Sequence, residues 1–177
     1  MPVVHTIQPW RIALLVLLVG SFVWLGSLHT RMLIGNTLLA PGTLEFSDTL
    51  APEAEQELFR TLSGLAVAGI VGYVITLGGA IAFLFLSPLR MRADGWLLMS
   101  SVLFFLFMPV ELFTMSIDIR MIRQEFFTTA GNDVFRTLFL ERMGALAGVP
   151  IIAILCYYTI VVLAIFQPLT QLQSHEA

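Results

Sequence analysis

The stretch FFLFMPVELFTMSIDIRMI, residues 104–122, begins as a run suited to lipid and ends as one that is not. Phe104 to Met108 carry no charge, Pro109 follows, and Glu111 stands two residues further on. Asp118 and Arg120 come seven and nine residues after Glu111. An ionised carboxylate at a lipid boundary is costly unless it is paired or wet. The stretch is therefore read as the place where a membrane helix leaves the bilayer core and enters a polar, projecting bundle end. Glu111 and Asp118, seven apart, share one helix face. The most economical arrangement turns Glu111 inward, toward Arg142 or Arg31.

The rest of the chain supports a membrane setting. Of its 177 residues, 58% are hydrophobic and 12% charged, with a mean hydropathy of +0.90. A soluble domain carries about 25% charged residues. The length suits one helical bundle, expected as a single integral membrane domain over residues 1–177. Every basic side chain is Arg, a residue that keeps its charge and forms forked pairs with carboxylates. With a net charge of −3 and no basic block, no nucleic-acid partner is expected. The lone Cys156 lies in an apolar run, and neither a disulfide nor a metal site is expected. No cofactor is indicated.

Four spans are expected, at about 10–34, 62–87, 96–116 and 143–166, each near the roughly 20 residues that cross a bilayer core. Trp10 and Trp96, at the starts of the first and third, suit an interfacial aromatic belt. The first apolar run is longer than a signal-peptide core and lacks a cleavage site, so it reads as a retained span. Residues 35–52 read as a loop from Gly35, Pro41, Gly42 and Pro52. Pro52 and the acids after it read as the true start of helix two. Tight breaks are expected at Pro88 and Gly95 and at Ala130-Gly131-Asn132. The third and fourth helices then run about 32 and 35 residues. Each is roughly 50 Å long, against a core of about 30 Å. The fold expected is all-α: a four-helix up-down transmembrane bundle, with helices two to four projecting on one side.

Small residues point to close helix approach. Gly64, Ala68, Gly72 and Thr76 recur every four residues in helix two, and Gly144 and Gly148 form a GxxxG in helix four. Pro150 is expected to kink or loosen helix four near the membrane boundary. Arg90 and Arg92 in the short second connection, with Arg11, favour cytoplasmic termini. The larger group of arginines on the other side lies beside acids in helical overhangs.

In an up-down bundle the polar residues fall at one end. His29 and Arg31 close helix one, and Glu57 and Arg60 open the membrane part of helix two. Glu111, Asp118 and Arg120 lie on helix three, Arg136, Glu141 and Arg142 on helix four. Two readings stay open for this cluster: ion pairs that lock helix register, or a cavity that binds a small molecule or relays protons. His29 is the one histidine within a span, so bis-His haem within the chain is implausible. The serines lack a His/Asp partner at useful spacing, which leaves nucleophilic catalysis without support.

SFVWLGSLHTRML at 21–33, MPVELFT at 108–114 and DVFRTLFLERMGALAG at 133–148 carry a resemblance. Together they resemble the anthrone-oxygenase-like family of small bacterial four-span membrane proteins. That family has a polar residue, usually Asn, shortly after a Pro in its third helix. It has an aromatic, a His and an Arg at the head of its fourth. Here Glu111 stands in place of the Asn, and Glu141-Arg142 replaces the His-containing stretch in part. The resemblance implies a four-helix membrane bundle with a polar outer pocket, and transfers no activity. The expected location is a bacterial plasma (inner) membrane.

Two functions follow. The first is an integral membrane structural or accessory protein, packing in the lipid bilayer with a membrane-protein partner or as a homo-oligomer. The second is a membrane enzyme or binder of a small hydrophobic molecule, quinone-like or aromatic, at the polar cluster. A transporter is weaker, for the spans show no inverted repeat.

Overall fold

The computed structural model describes residues 8–40, 43, 45–47, 50–89, 94–128 and 132–168, apart from the side chain at position 147. The sequence features at Pro41-Gly42, Arg90, Arg92 and Ala130-Gly131, and the two tails with His5 and His175, lie outside these residues. The chain is all-α, a helical bundle. In order it forms α1 (Pro9–Leu38), α2 (Pro52–Leu86), α3 (Gly95–Leu106), α4 (Met108–Phe127), α5 (Asn132–Gly144), a 3-10 turn (Ala145–Gly148) and α6 (Val149–Phe166). Four helical stretches are long and apolar enough to cross a membrane: Pro9–Leu38, Pro52–Leu86, Gly95–Phe127 and Val149–Phe166. Their apolar surface is largely uncovered by protein; Phe85, for example, is 85% exposed. Apolar surface on this scale suits contact with lipid.

The helix ends follow from the residues at them. Pro9 and Pro52 open α1 and α2, where a missing N–H removes no helical bond. Glu53 and Glu55 sit in the first turn of α2, at the positive end of its dipole. Helix one runs four residues beyond the expected Ile34, so the loop starts at Leu39 and not at Gly35. Gly35 is buried in that extension, where an added Cβ would lie 3.1 Å from the Phe139 ring. The loop then returns on itself. Ser47 N–H donates to the Leu38 carbonyl at 2.9 Å, and Leu39 and Phe46 form an isolated antiparallel bridge.

The third expected helix is broken at Phe107. Pro109 has no N–H and its ring crowds the carbonyl of residue i−4, so α3 ends and α4 restarts. Glu111 N–H resumes the ladder on the Phe107 carbonyl at 3.1 Å. The fourth helix is likewise two. Pro150 does not kink a continuous helix; it sits in the first turn of α6. The chain turns before it, through Leu146 at φ 54° and Gly148 at φ 90°. Gly148 tolerates this left-handed geometry, whereas Leu146 is held in it against steric preference.

Two compact units result. The first is Met1–Leu86 with Ser116–Met143, and holds α1, α2, the later part of α4 and nearly all of α5. Its axis is a close α1–α2 contact built on glycine. An added Cβ at Gly72 would lie 2.6 Å from the Trp24 backbone nitrogen, at Gly79 2.6 Å from that of Leu17, and at Gly20 2.6 Å from that of Thr76. Ser27 Oγ, one turn beyond Trp24, donates across to the Leu65 carbonyl. Trp24 meets Tyr73 edge-on at 4.9 Å. Of the small residues expected to pack, Gly72 does so. Gly64 has nothing within 4 Å of an added Cβ, and Ala68 is half-buried, because the contact face follows Gly72, Thr76 and Gly79. A second cluster joins the loop to α2 and α5: Phe59 stacks on Phe135 at 4.2 Å, and Phe46 lies 5.8 Å from Phe139.

The second unit is Ser87–Met115 with Gly144–Ala177, in which α3 packs on α6. The expected GxxxG face is absent from it: neither Gly144 nor Gly148 has an atom within 4 Å of an added Cβ. These glycines serve the turn before α6. Trp96 is 8% exposed, so it packs against protein and presents little ring to a headgroup layer.

Gly72→Ala or Gly79→Ala forces backbone apart and is expected to lower stability by about 1–3 kcal/mol. Gly64→Ala is expected to be neutral or to stabilise by up to about 1 kcal/mol. Thermal unfolding of the three variants in one detergent checks the difference.

Candidate functional site

The buried charge of the first unit centres on Asp118. Its position on α4 makes it 3% exposed, among Ile117 and Met121, which are buried with it. A carboxylate so placed needs donors on both oxygens. Arg31, from α1, supplies a fork: Nη1 donates to Oδ2 at 2.8 Å and Nη2 to Oδ1 at 2.6 Å. Arg142, from the last turn of α5, adds Nε to Oδ1 at 3.1 Å. Three helices thus meet on one carboxylate. Forked, charge-assisted bonds are the strong class of hydrogen bond. The arginine side chains are only 14% and 16% exposed, so water screens the cluster weakly.

Around it lie further pairs. Arg136 forks onto Glu55, with Nε to Oε1 at 2.6 Å and Nη2 to Oε2 at 2.7 Å, and its guanidinium lies 5.3 Å from the Phe46 ring. Arg120 donates to Glu141 at 2.5 Å, but both side chains are about half exposed (51% and 44%). Such a pair is worth about 0–1 kcal/mol. Arg60 is close enough to Glu125 to act on it electrostatically. His29 Nδ1 bonds the Leu25 carbonyl one turn back, at 2.6 Å.

Glu111 belongs to the second unit. It is 4% exposed, and Tyr157 of α6 donates its hydroxyl to Oε1 at 3.4 Å. Phe104 and Phe107 approach the Tyr157 ring at 6.1 and 6.4 Å. The carboxyl thus meets a phenol whose ring is in turn flanked by two phenyl rings.

Part of the expected cluster is seen within the first unit. Arg31, Asp118 and Arg142 come together, and Arg120 pairs with Glu141. The arginines expected for Glu111 are both on Asp118. Asp118 lies deeper in protein than its exposed neighbours Ile119 and Arg120 suggest, and it takes the guanidinium donors. Arg136 was expected at the polar end without an assigned partner; Glu55, Glu125 and Tyr157 were not anticipated there. Glu55 reads as a helix-start acid, and nothing local assigns it to Arg136. Tyr157 had a usable signal, since a buried acid in a span needs a donor and α6 offers few hydroxyl groups.

Among the described residues, no group of three or more His, Cys, Asp or Glu is placed to hold a metal ion. No family model, curated protein or solved structure matches the chain.

Removing the Asp118 charge strands two weakly screened arginines. Asp118→Asn is expected to cost about 3–5 kcal/mol, whereas Arg120→Gln is expected to cost under about 1 kcal/mol. Thermal unfolding of both variants in detergent measures the contrast.

Proposed function

We propose that the chain is an integral membrane protein of structural or accessory kind, working by packing against a membrane-protein partner or a second copy of itself. The observation that carries this reading is how the polar groups of the first unit are used. Asp118, Glu55 and Glu141 each take an arginine, so these charges hold helices to one another. The outward surface is instead apolar, in long stretches on all four spanning-length helices. Such faces suit lipid and helix–helix packing. The membrane in question is a bacterial plasma (inner) membrane, with both termini in the cytoplasm.

A second reading rests on Glu111. A buried carboxyl bonded to a tyrosine hydroxyl, whose ring is flanked by two phenyl rings, is a fitting contact for a small aromatic or quinone-like molecule. It combines a hydrogen-bonding group with apolar walls. The resemblance to anthrone-oxygenase-like proteins belongs with this reading.

Purification in mild detergent followed by native mass spectrometry separates the two. The structural reading expects a stoichiometric protein partner or a homo-oligomer. A monomer that retains a small hydrophobic molecule, released by Glu111→Gln, overturns it in favour of the second. For orientation, a C-terminal reporter active only in the cytoplasm should give signal; a reporter active only outside it should stay silent.

A further inference from the structure

The Asp118 cluster is unbalanced. Two guanidinium groups converge on one carboxylate, leaving one positive charge in excess. The donors are unequally used as well. Arg31 spends both Nη groups on Asp118, while Arg142 gives only Nε. Among the described residues, the Nη1 and Nη2 groups of Arg142 have no acceptor. The Arg142 side chain is 16% exposed, so it is not sealed off. Asp118 meanwhile fixes the Nε side of Arg142, so its far edge is held ready as a fork.

Arg31 and Asp118 stand on helices that belong to stretches long and apolar enough to cross a membrane, with much of their apolar surface uncovered by protein. A cationic fork held on such helices suits a ligand with an anionic head and an apolar body.

We propose that Arg142, braced by Asp118 and supported by the Arg31 charge, is a binding site for a phosphate group, taken from an anionic phospholipid. A phosphate accepts two parallel N–H bonds from one guanidinium. Basic pockets between membrane helices hold anionic lipid heads in this way. The site lies in the first unit and is independent of the structural and ligand readings above. Glu55 and Glu141 do not compete for it, for they face Arg136 and Arg120.

The test uses the full chain, stripped of lipid in detergent. Phosphatidylglycerol, phosphatidylcholine and inorganic phosphate are titrated separately while thermal unfolding and native mass spectra are followed. Phosphatidylglycerol is expected to raise the unfolding midpoint and to give discrete bound-lipid peaks, with phosphatidylcholine giving neither. Arg142→Lys keeps the charge but loses the fork; once its lipid-free unfolding transition shows it folded, it should bind phosphatidylglycerol about tenfold more weakly, or by about 1.4 kcal/mol. Arg120→Gln should leave it unchanged. Stabilisation by inorganic phosphate alone, lost in Arg142→Lys, would keep the phosphate site and assign it to the free anion. Equal binding of both lipids, or phosphatidylglycerol binding untouched by Arg142→Lys, would overturn the proposal.

Discussion

A carboxylate buried in a membrane helix has to be matched, and much of the first unit answers to that one requirement. Asp118 is matched by Arg31 from α1 and Arg142 from α5. The attraction is not simply a gain, since all three groups also lose water. What the arrangement fixes is register. Arg31 must reach from one helix, Asp118 must face it from a second, and Arg142 must arrive from a third. A slip of one residue in any of them would leave a charge alone in a poorly hydrated place. The glycine contact between α1 and α2 and the Phe59–Phe135 stack supply the close packing that such register requires.

The second unit meets the same requirement with less charge. Glu111 is buried and takes a hydrogen bond from the Tyr157 hydroxyl. A phenol is a weaker partner than an arginine, and its bond of 3.4 Å is a long one. Of two carboxyls seven residues apart on one helix, one takes guanidinium donors from Arg31 and Arg142, and the other takes the Tyr157 hydroxyl. That difference separates the structural reading of the chain from the ligand-binding one. The clamp holds helices together, whereas the aromatic setting resembles the wall of a binding site.

The coarse fold was legible in the sequence because lipid imposes a simple rule. Long apolar runs must be helical, and the four runs appear as helices. Pro52 also marked its helix start correctly. The interruptions were less legible. Pro109 and Pro150 were visible, but whether a proline bends a helix or ends it depends on what precedes it. At Pro150 the answer was Gly148, whose left-handed turn frees it from the packing role its GxxxG spacing suggested. Likewise Gly20 and Gly79 pack closely without any short motif to announce them, because the contact face emerges only when α1 is laid on α2. Charge pairing was legible in kind and not in detail. Arg31 and Arg142 were both candidates for a carboxylate, yet sequence could not choose between Glu111 and Asp118. The structure places Asp118 in the first unit with both arginines, and that is a property of packing.

If Asp118 and Arg31 act as one clamp, their contributions to stability must be coupled. A double-mutant cycle with Arg31→Gln, Asp118→Asn and the double variant, read by unfolding in detergent, measures that coupling. The clamp predicts that the double variant loses less than the sum of the two single losses, by about 1–3 kcal/mol. Losses that add to within about 0.5 kcal/mol would contradict it. They would mean that the two residues stabilise the protein independently.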